Sequence, residues 1–150
     1  MADDAVATIS ATVLPDEIAK TISATMTVTP ADANDKWYYK LTSVSNSSTD
    51  LIAGNFTDYT AVDDDTAPTA VHTADKVKFL FIKNVDGNSR SIYVTFDGDA
   101  ASSSATGGVT IGPSEAFAGR LPNATVADVN AISSASTAEV IVCALLDDVA

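Results

Sequence analysis

The chain has 150 residues and a formal net charge of −12, from 8 basic and 20 acidic side chains. That length fits one domain with a core of its own. The acidic balance leaves no basic surface with which to displace counterions from nucleic acid or to sit on an anionic membrane. It suits a protein that stays dispersed at high concentration.

One Cys, Cys143, and one His, His72, exclude an internal disulfide and a zinc site built from several His or Cys ligands. The start, Met1-Ala2-Asp3-Asp4-Ala5, lacks the basic residues and apolar run of a signal peptide. No stretch reaches the roughly 20 apolar residues of a membrane span, so the expected site of synthesis is a cytoplasm. The glycosylation-type triplets at Asn46, Asn55 and Asn123 then read as chance in a Ser- and Thr-rich chain.

In chain order, Ala5 to Leu14 alternates, with Ala5, Ala7, Ile9, Ala11 and Val13 on one side and Thr8, Ser10 and Thr12 on the other. Period two is the signature of a half-buried strand. Pro15-Asp16-Glu17 supplies turn chemistry. From Ile18 to Val28, Ile18, Ile22, Ala24, Met26 and Val28 line one face, and Thr21, Ser23, Thr25, Thr27 and Thr29 line the other. The pentapeptide Thr-Ile-Ser-Ala-Thr occurs at 8–12 and again at 21–25. Two units are too few for a solenoid, and the pair reads as a hairpin of two similar strands.

Pro30 to Asp35 is a polar break, and Lys36 to Val44 a third strand. Trp37, Tyr39 and Leu41 share one face, and Tyr38, Lys40 and Thr42 the other. Asn46 to Asp50 is a loop by composition, and Leu51 to Phe56 a short edge strand broken at Gly54. Residues 58–75 have no pattern, hold Asp63-Asp64-Asp65, Pro68 and His72, and read as a loop or arm. They divide an N-terminal hairpin and strand region, 1–57, from a C-terminal sandwich region, 76–150, within one domain overall.

Val77 to Ile82 is apolar on both faces beyond Lys78, as in a central strand. Val85-Asp86-Gly87-Asn88 predicts a hairpin turn leading to a partner strand, Ser91 to Phe96. A flexible loop covers Asp97 to Gly108. Strands are predicted at Val109 to Ile111, Ala116 to Leu121, Ala127 to Ser133 and Ala138 to Leu146, with turns at Gly112 to Glu115 and Pro122-Asn123. Thr125-Val126-Ala127-Asp128 resembles a capping box, so one helical turn competes with a strand over Thr125 to Asn130. The spacing predicts an all-β fold, an antiparallel β-sandwich or jelly roll with an N-terminal hairpin or arm.

No constellation carries catalysis. His72 is the only candidate base and lies in the least patterned segment, and there is no Gly-x-Ser-x-Gly elbow. Cys143 sits in the apolar run Val140 to Leu146, where a thiol behaves as a small apolar group. Asp63-Asp64-Asp65, the pair Asp97 and Asp99, and Asp147-Asp148 lack the ligand spacing of a calcium loop. Gly107-Gly108 lacks the Lys-Ser or Lys-Thr of a phosphate cradle. No metal or cofactor is implied and no enzymatic activity is expected. Trp37, Tyr38 and Tyr39 are candidate interface residues, with His72, because aromatics concentrate at protein and sugar interfaces as well as in cores.

The segments Lys78 to Asn84, Ser91 to Gly98, Ile111 to Phe117, Arg120 to Pro122 and Ala131 to Ser134 resemble small virion proteins of tailed bacteriophages. The likeness covers roughly residues 77 to 147. It implies a β-sandwich on the outside of a particle, and among virion roles a capsid decoration, or cement, protein. The implied partner is the major capsid protein, and the implied assembly a homo-oligomer, a trimer, made in the bacterial host cytoplasm and carried on the virion surface. Neither nucleic acid nor membrane is an expected partner. The alternative is a tail, fibre or sugar-binding module for host attachment.

Overall fold

A computed structural model describes residues 4–13, 20–32, 34–56, 69–87 and 89–149. The predicted turn at Pro15 to Glu17, the start of the second strand at Ile18, Asp63-Asp64-Asp65, Pro68 and most of the predicted 58–75 arm lie outside them. Contact density divides the chain into two units, Met1–Asp32 and Ala33–Ala150.

The first unit is a two-stranded antiparallel ribbon of β1 (Ala5–Val13) and β2 (Lys20–Val28). The predicted hairpin is present, with Ala5 opposite Val28 and Val13 opposite Lys20. Alternation gives it an apolar face of Ala7, Ile9, Ala11, Ile22, Ala24 and Met26. Its other face is a hydroxyl surface of Thr8, Ser10, Thr12, Thr21, Ser23 and Thr25.

The second unit is the sandwich. It contains β3 (Asp35–Val44), β4 (Thr49–Asp50), β5 (Lys76–Asn84), β6 (Ile92–Thr95), β7 (Gly108–Ile111), β8 (Ala116–Gly119), β9 (Asn130–Ser133) and β10 (Ala138–Asp147). They form two four-stranded antiparallel sheets, ordered β3-β10-β5-β8 and β4-β9-β6-β7. Every connection except β6 to β7 changes sheet, and three of them, 45–48, 112–115 and 134–137, are four residues long. Links that short join strands stacked across the core. The strands therefore pair across the two layers as β3/β4, β10/β9, β5/β6 and β8/β7, the strand order of a jelly roll.

The core lies between the sheets. Tyr38, Ala144 and Leu80 form one inward cross-strand row, and Val142 and Ile82 belong to the next. Ile92, Val94, Ile111 and Ala131 answer them from the other sheet. Phe96 stacks on Phe117 with ring centroids 5.6 Å apart.

Three predicted details are corrected. Val85 to Asn88 is not a hairpin turn: β5 pairs with β10 and β8, whereas β6 pairs with β7 and β9 in the opposite sheet. The chain is turned there by Asn84, whose side chain is fully buried. Its Nδ2 donates to the carbonyls of Arg90 (2.7 Å), Gly112 (3.1 Å) and Ile111 (3.3 Å), and its Oδ1 accepts from the Asp86 amide (3.0 Å). Leu51 to Phe56 is not a strand. The short edge strand is Thr49–Asp50, inside the predicted loop, and Asn55 makes only an isolated bridge to Ala70. Finally, Thr125 and Asp128 do form a capping box, with the Thr125 amide and hydroxyl donating to Asp128 Oδ2 at 2.7 and 2.9 Å. They cap a single 3-10 turn, Val126–Asp128, so the ninth strand starts at Asn130 rather than Ala127.

Candidate docking face

The register of the β3-β10-β5-β8 sheet stacks its outward residues into rows. Trp37, Leu145 and Phe79 form the first. Tyr39, Cys143, Phe81 and Ala118 form the second. Leu41, Ile141, Lys83 and Ala116 form the third. The first two rows contain no charged side chain, on a protein of charge −12. An antiparallel sheet ordinarily turns a polar face to water, and the other sheet turns out Thr110, exposed, and Tyr93, half-buried.

Burial is graded across the rows. Phe79 and Leu145 are buried, and Trp37 meets Phe79 edge-on with centroids 6.5 Å apart. Phe81, Cys143 and Ile141 are half-buried. Tyr39 and Leu41, on the edge strand β3, are 57% and 58% exposed. Two large apolar side chains side by side at a sheet edge form the kind of patch that marks interaction surfaces.

The candidate interface residues separate. Trp37 and Tyr39 lie on this outer face. Tyr38 points the other way and is fully buried, its hydroxyl donating to the Ala53 carbonyl at 3.1 Å. Burial pushes the Tyr38 hydroxyl above its ordinary pKa, partly offset by the Ala53 amide, which donates to the hydroxyl oxygen at 3.3 Å. His72 is exposed in the turn before β5, away from the rows, and its amide donates to Asp75 Oδ2 at 2.8 Å. Sequence reading missed Leu41, Ile141 and Phe81 as surface candidates. The signal was present: the apolar alternation of the third strand continues in the same parity on its neighbours.

A β-bulge ends the face. Between Val77, opposite Leu146, and Phe79, opposite Leu145, Lys78 is the extra residue. Its ammonium reaches Asp35 at 2.5 Å and Asp147 at 3.4 Å. The Asp35 hydrogen bond raises the Lys78 pKa, with Asp147 adding to it. Nearby, Lys36 pairs with Asp148 and lies 5.3 Å from the centre of the Phe56 ring. Lys36 and Lys78 are thus both tied to carboxylates. Cys143 is the only thiol, and burial pushes it up from its ordinary value. It is a protonated, weakly nucleophilic group in an apolar row, which suits contact and not covalent catalysis.

Comparison with protein-family models, with curated proteins and with solved structures returns no match for this chain. No helix among the described residues is long and apolar enough to cross a membrane.

Proposed function

We propose that this chain is a structural, non-enzymatic virion protein. It decorates the outer surface of a tailed-phage capsid and stabilises the shell by binding the major capsid protein. The observation that carries the reading is the exposed apolar pair Tyr39 and Leu41, 57% and 58% exposed, on the edge strand of the sheet. An acidic subunit disperses freely while it accumulates and docks through the surface where its charge is least. In this role it works as a homo-oligomer, a trimer, with neither nucleic acid nor membrane as a partner. It is made in the bacterial host cytoplasm and ends on the capsid.

The resemblance of residues 77 to 147 supports the same reading. Its Lys83-Asn84 and Gly112-Pro113-Ser114-Glu115 segments meet in one corner, where the Asn84 amide donates to the Glu115 carbonyl at 2.9 Å. The Gly112 amide donates to Glu115 Oε2 at 2.8 Å, and a Cβ at position 112 would lie 2.7 Å from that oxygen. Motif residues 28 or more positions apart are one structural device. Jelly rolls serve capsid and lectin proteins alike, so the fold supports the reading by association only.

The test is the composition of purified particles. Mass-spectrometric quantification is expected to give a copy number near one per major capsid protein subunit. Absence from the particle, or a few copies at a tail, overturns the reading. Within that experiment, Tyr39→Asp with Leu41→Asp is expected to fold normally and to lose binding to empty shells.

A second reading, host attachment through sugar, rests on a different place. Asn46, Tyr93, Ser102, Ser103 and Ser134 line a shallow depression on the outside of the β4-β9-β6-β7 sheet. An aromatic ring among hydroxyls suits a saccharide. A glycan panel bound by the native chain and not by Tyr93→Ala would favour this reading over capsid decoration.

A further inference from the structure

The ribbon has a pairing property that the sandwich lacks. Its register sets the two Thr-Ile-Ser-Ala-Thr segments directly against each other. Thr8 faces Thr25, Ile9 faces Ala24, Ser10 faces Ser23, Ala11 faces Ile22 and Thr12 faces Thr21. The pattern is identical read from either strand, so this pentapeptide is complementary to itself in antiparallel pairing. Each Ile lies across a small Ala, Ser meets Ser, and the Thr12 and Thr21 hydroxyls are 3.1 Å apart in a hydrogen bond.

Among the described residues β1 pairs with β2 alone, so its far edge holds backbone donors and acceptors ready for another strand. Residues Thr8 to Thr12 are exposed, and Ile9 is 51% exposed despite its size. β1 contains no charged residue, whereas β2 starts with Lys20, a side chain that blunts an edge. A second copy of this chain carries the same −12 charge, so two copies approach most easily where both surfaces are neutral.

We propose that β1 pairs antiparallel with β1 of a second copy of this chain, about a two-fold axis at Ser10. The pairs already made inside the ribbon are then repeated between copies: Ile9 faces the partner subunit's Ala11, Thr8 faces the partner subunit's Thr12, and Ser10 faces itself. The product is a four-stranded sheet in the order β2-β1-β1-β2, an isologous strand addition. Two-fold pairing makes dimers, so in a trimeric assembly the ribbon joins one trimer to the next. The inference stands independently of the capsid reading.

The experiment uses the full chain. Sedimentation is expected to show a dimer at about 100 µM, a concentration that reveals even micromolar association. In a Cys143→Ala background, Ser10→Cys is expected to give a covalent dimer with a short bis-maleimide, because position 10 faces itself across the axis. Ser23→Cys, on the other strand of the same ribbon, is expected to stay largely uncrosslinked. Ser10→Glu opposes two carboxylates and is expected to weaken association about tenfold or more, with Ser23→Glu within about twofold of the native chain. Unchanged urea midpoints establish that the sandwich of these variants is folded, and unchanged hydrogen exchange in β1 and β2 that the ribbon is. A native chain that is monomeric throughout, equal cross-linking at positions 10 and 23, or equal weakening by both Glu variants overturns the proposal.

Discussion

The sandwich and the ribbon are built from the same kind of residue, alternating apolar and hydroxyl side chains, but use them in opposite ways. In the sandwich each strand's inward row is covered by a second sheet: Tyr38, Leu80, Ile82 and Leu146 are fully buried. In the ribbon Ile9 and Ile22, on the apolar face, are 51% and 65% exposed. The sandwich is therefore held by removal of apolar area from water. The ribbon rests on its ladder of backbone hydrogen bonds and on cross-strand pairs worth about 0.2–1 kcal/mol each. Period-two patterning marks a strand in both units. It carries no information about whether the apolar face has been covered.

Substitutions test how far that difference goes. Leu80→Ala deletes a fully buried side chain between the sheets and is expected to cost about 2–5 kcal/mol in urea unfolding. A cost under 1 kcal/mol would mean that the core is not where the burial places it. Asn84→Ala removes the amide that ties three carbonyls at the corner of β5, β6 and β7. The expected loss is about 2–3 kcal/mol, since buried acceptors lose their donor. Asn84→Asp, which keeps the acceptor for the Asp86 amide but not the donor, should recover only part of it.

Alkali gives a smaller effect with a definite sign. Tyr38, Lys78 and Cys143 all have raised pKa values, from burial at Tyr38 and Cys143 and from the Asp35 hydrogen bond at Lys78. Each group holds its proton more tightly folded than unfolded, so unfolding releases protons as the pH rises. Stability is full below the ordinary thiol value and declines as pH climbs through the ordinary thiol, phenol and ammonium values to the raised ones. A urea midpoint that rises over this range would contradict the directions. In Cys143→Ala the decline is expected to begin at higher pH.

The smallest expected effect is in the ribbon. Ile22→Ala is expected to change the unfolding free energy of the sandwich by less than about 0.5 kcal/mol. Hydrogen exchange sharpens the contrast, with amides of β1 and β2 exchanging well before those of β5 and β10. Equal protection in the two units would abolish the distinction.

Much of this was legible in the residues. The alternation within Ala5 to Leu14 and Lys36 to Val44 sorted the strand faces correctly, and Ala138 to Leu146 was legible as a strand. Thr125 and Asp128 announced a capped turn. Which face pointed inward was not legible at the third strand. Trp37, Tyr39 and Leu41 are the more apolar set, yet it is Tyr38 that enters the core, because Val142, Ala144 and Leu80 lie on its side of the sheet. The Asp86-Gly87 pair misled for a similar reason. Its local chemistry suits a hairpin, but the path is decided by Asn84 bonding to carbonyls 27 and 28 residues later. The candidate docking face spans four strands drawn from distant parts of the chain, so it exists only once their order is known.

That order also bears on synthesis. β10 is the last strand in chain order, yet it lies between β3 and β5 and pairs with both along nearly its whole length. Until Ala138 to Asp147 emerges from the ribosome, the longest strand pairings of the sandwich have no template. β3 and β5 wait with facing edges open. Such non-local closure makes for slow folding, and a nascent chain halted before residue 138 would carry β3 without its neighbour β10 and β5 open along the edge opposite β8, with a tendency to aggregate. The ribbon closes locally, as soon as β2 follows β1. The first unit to be made is then folded long before the last strand completes the second.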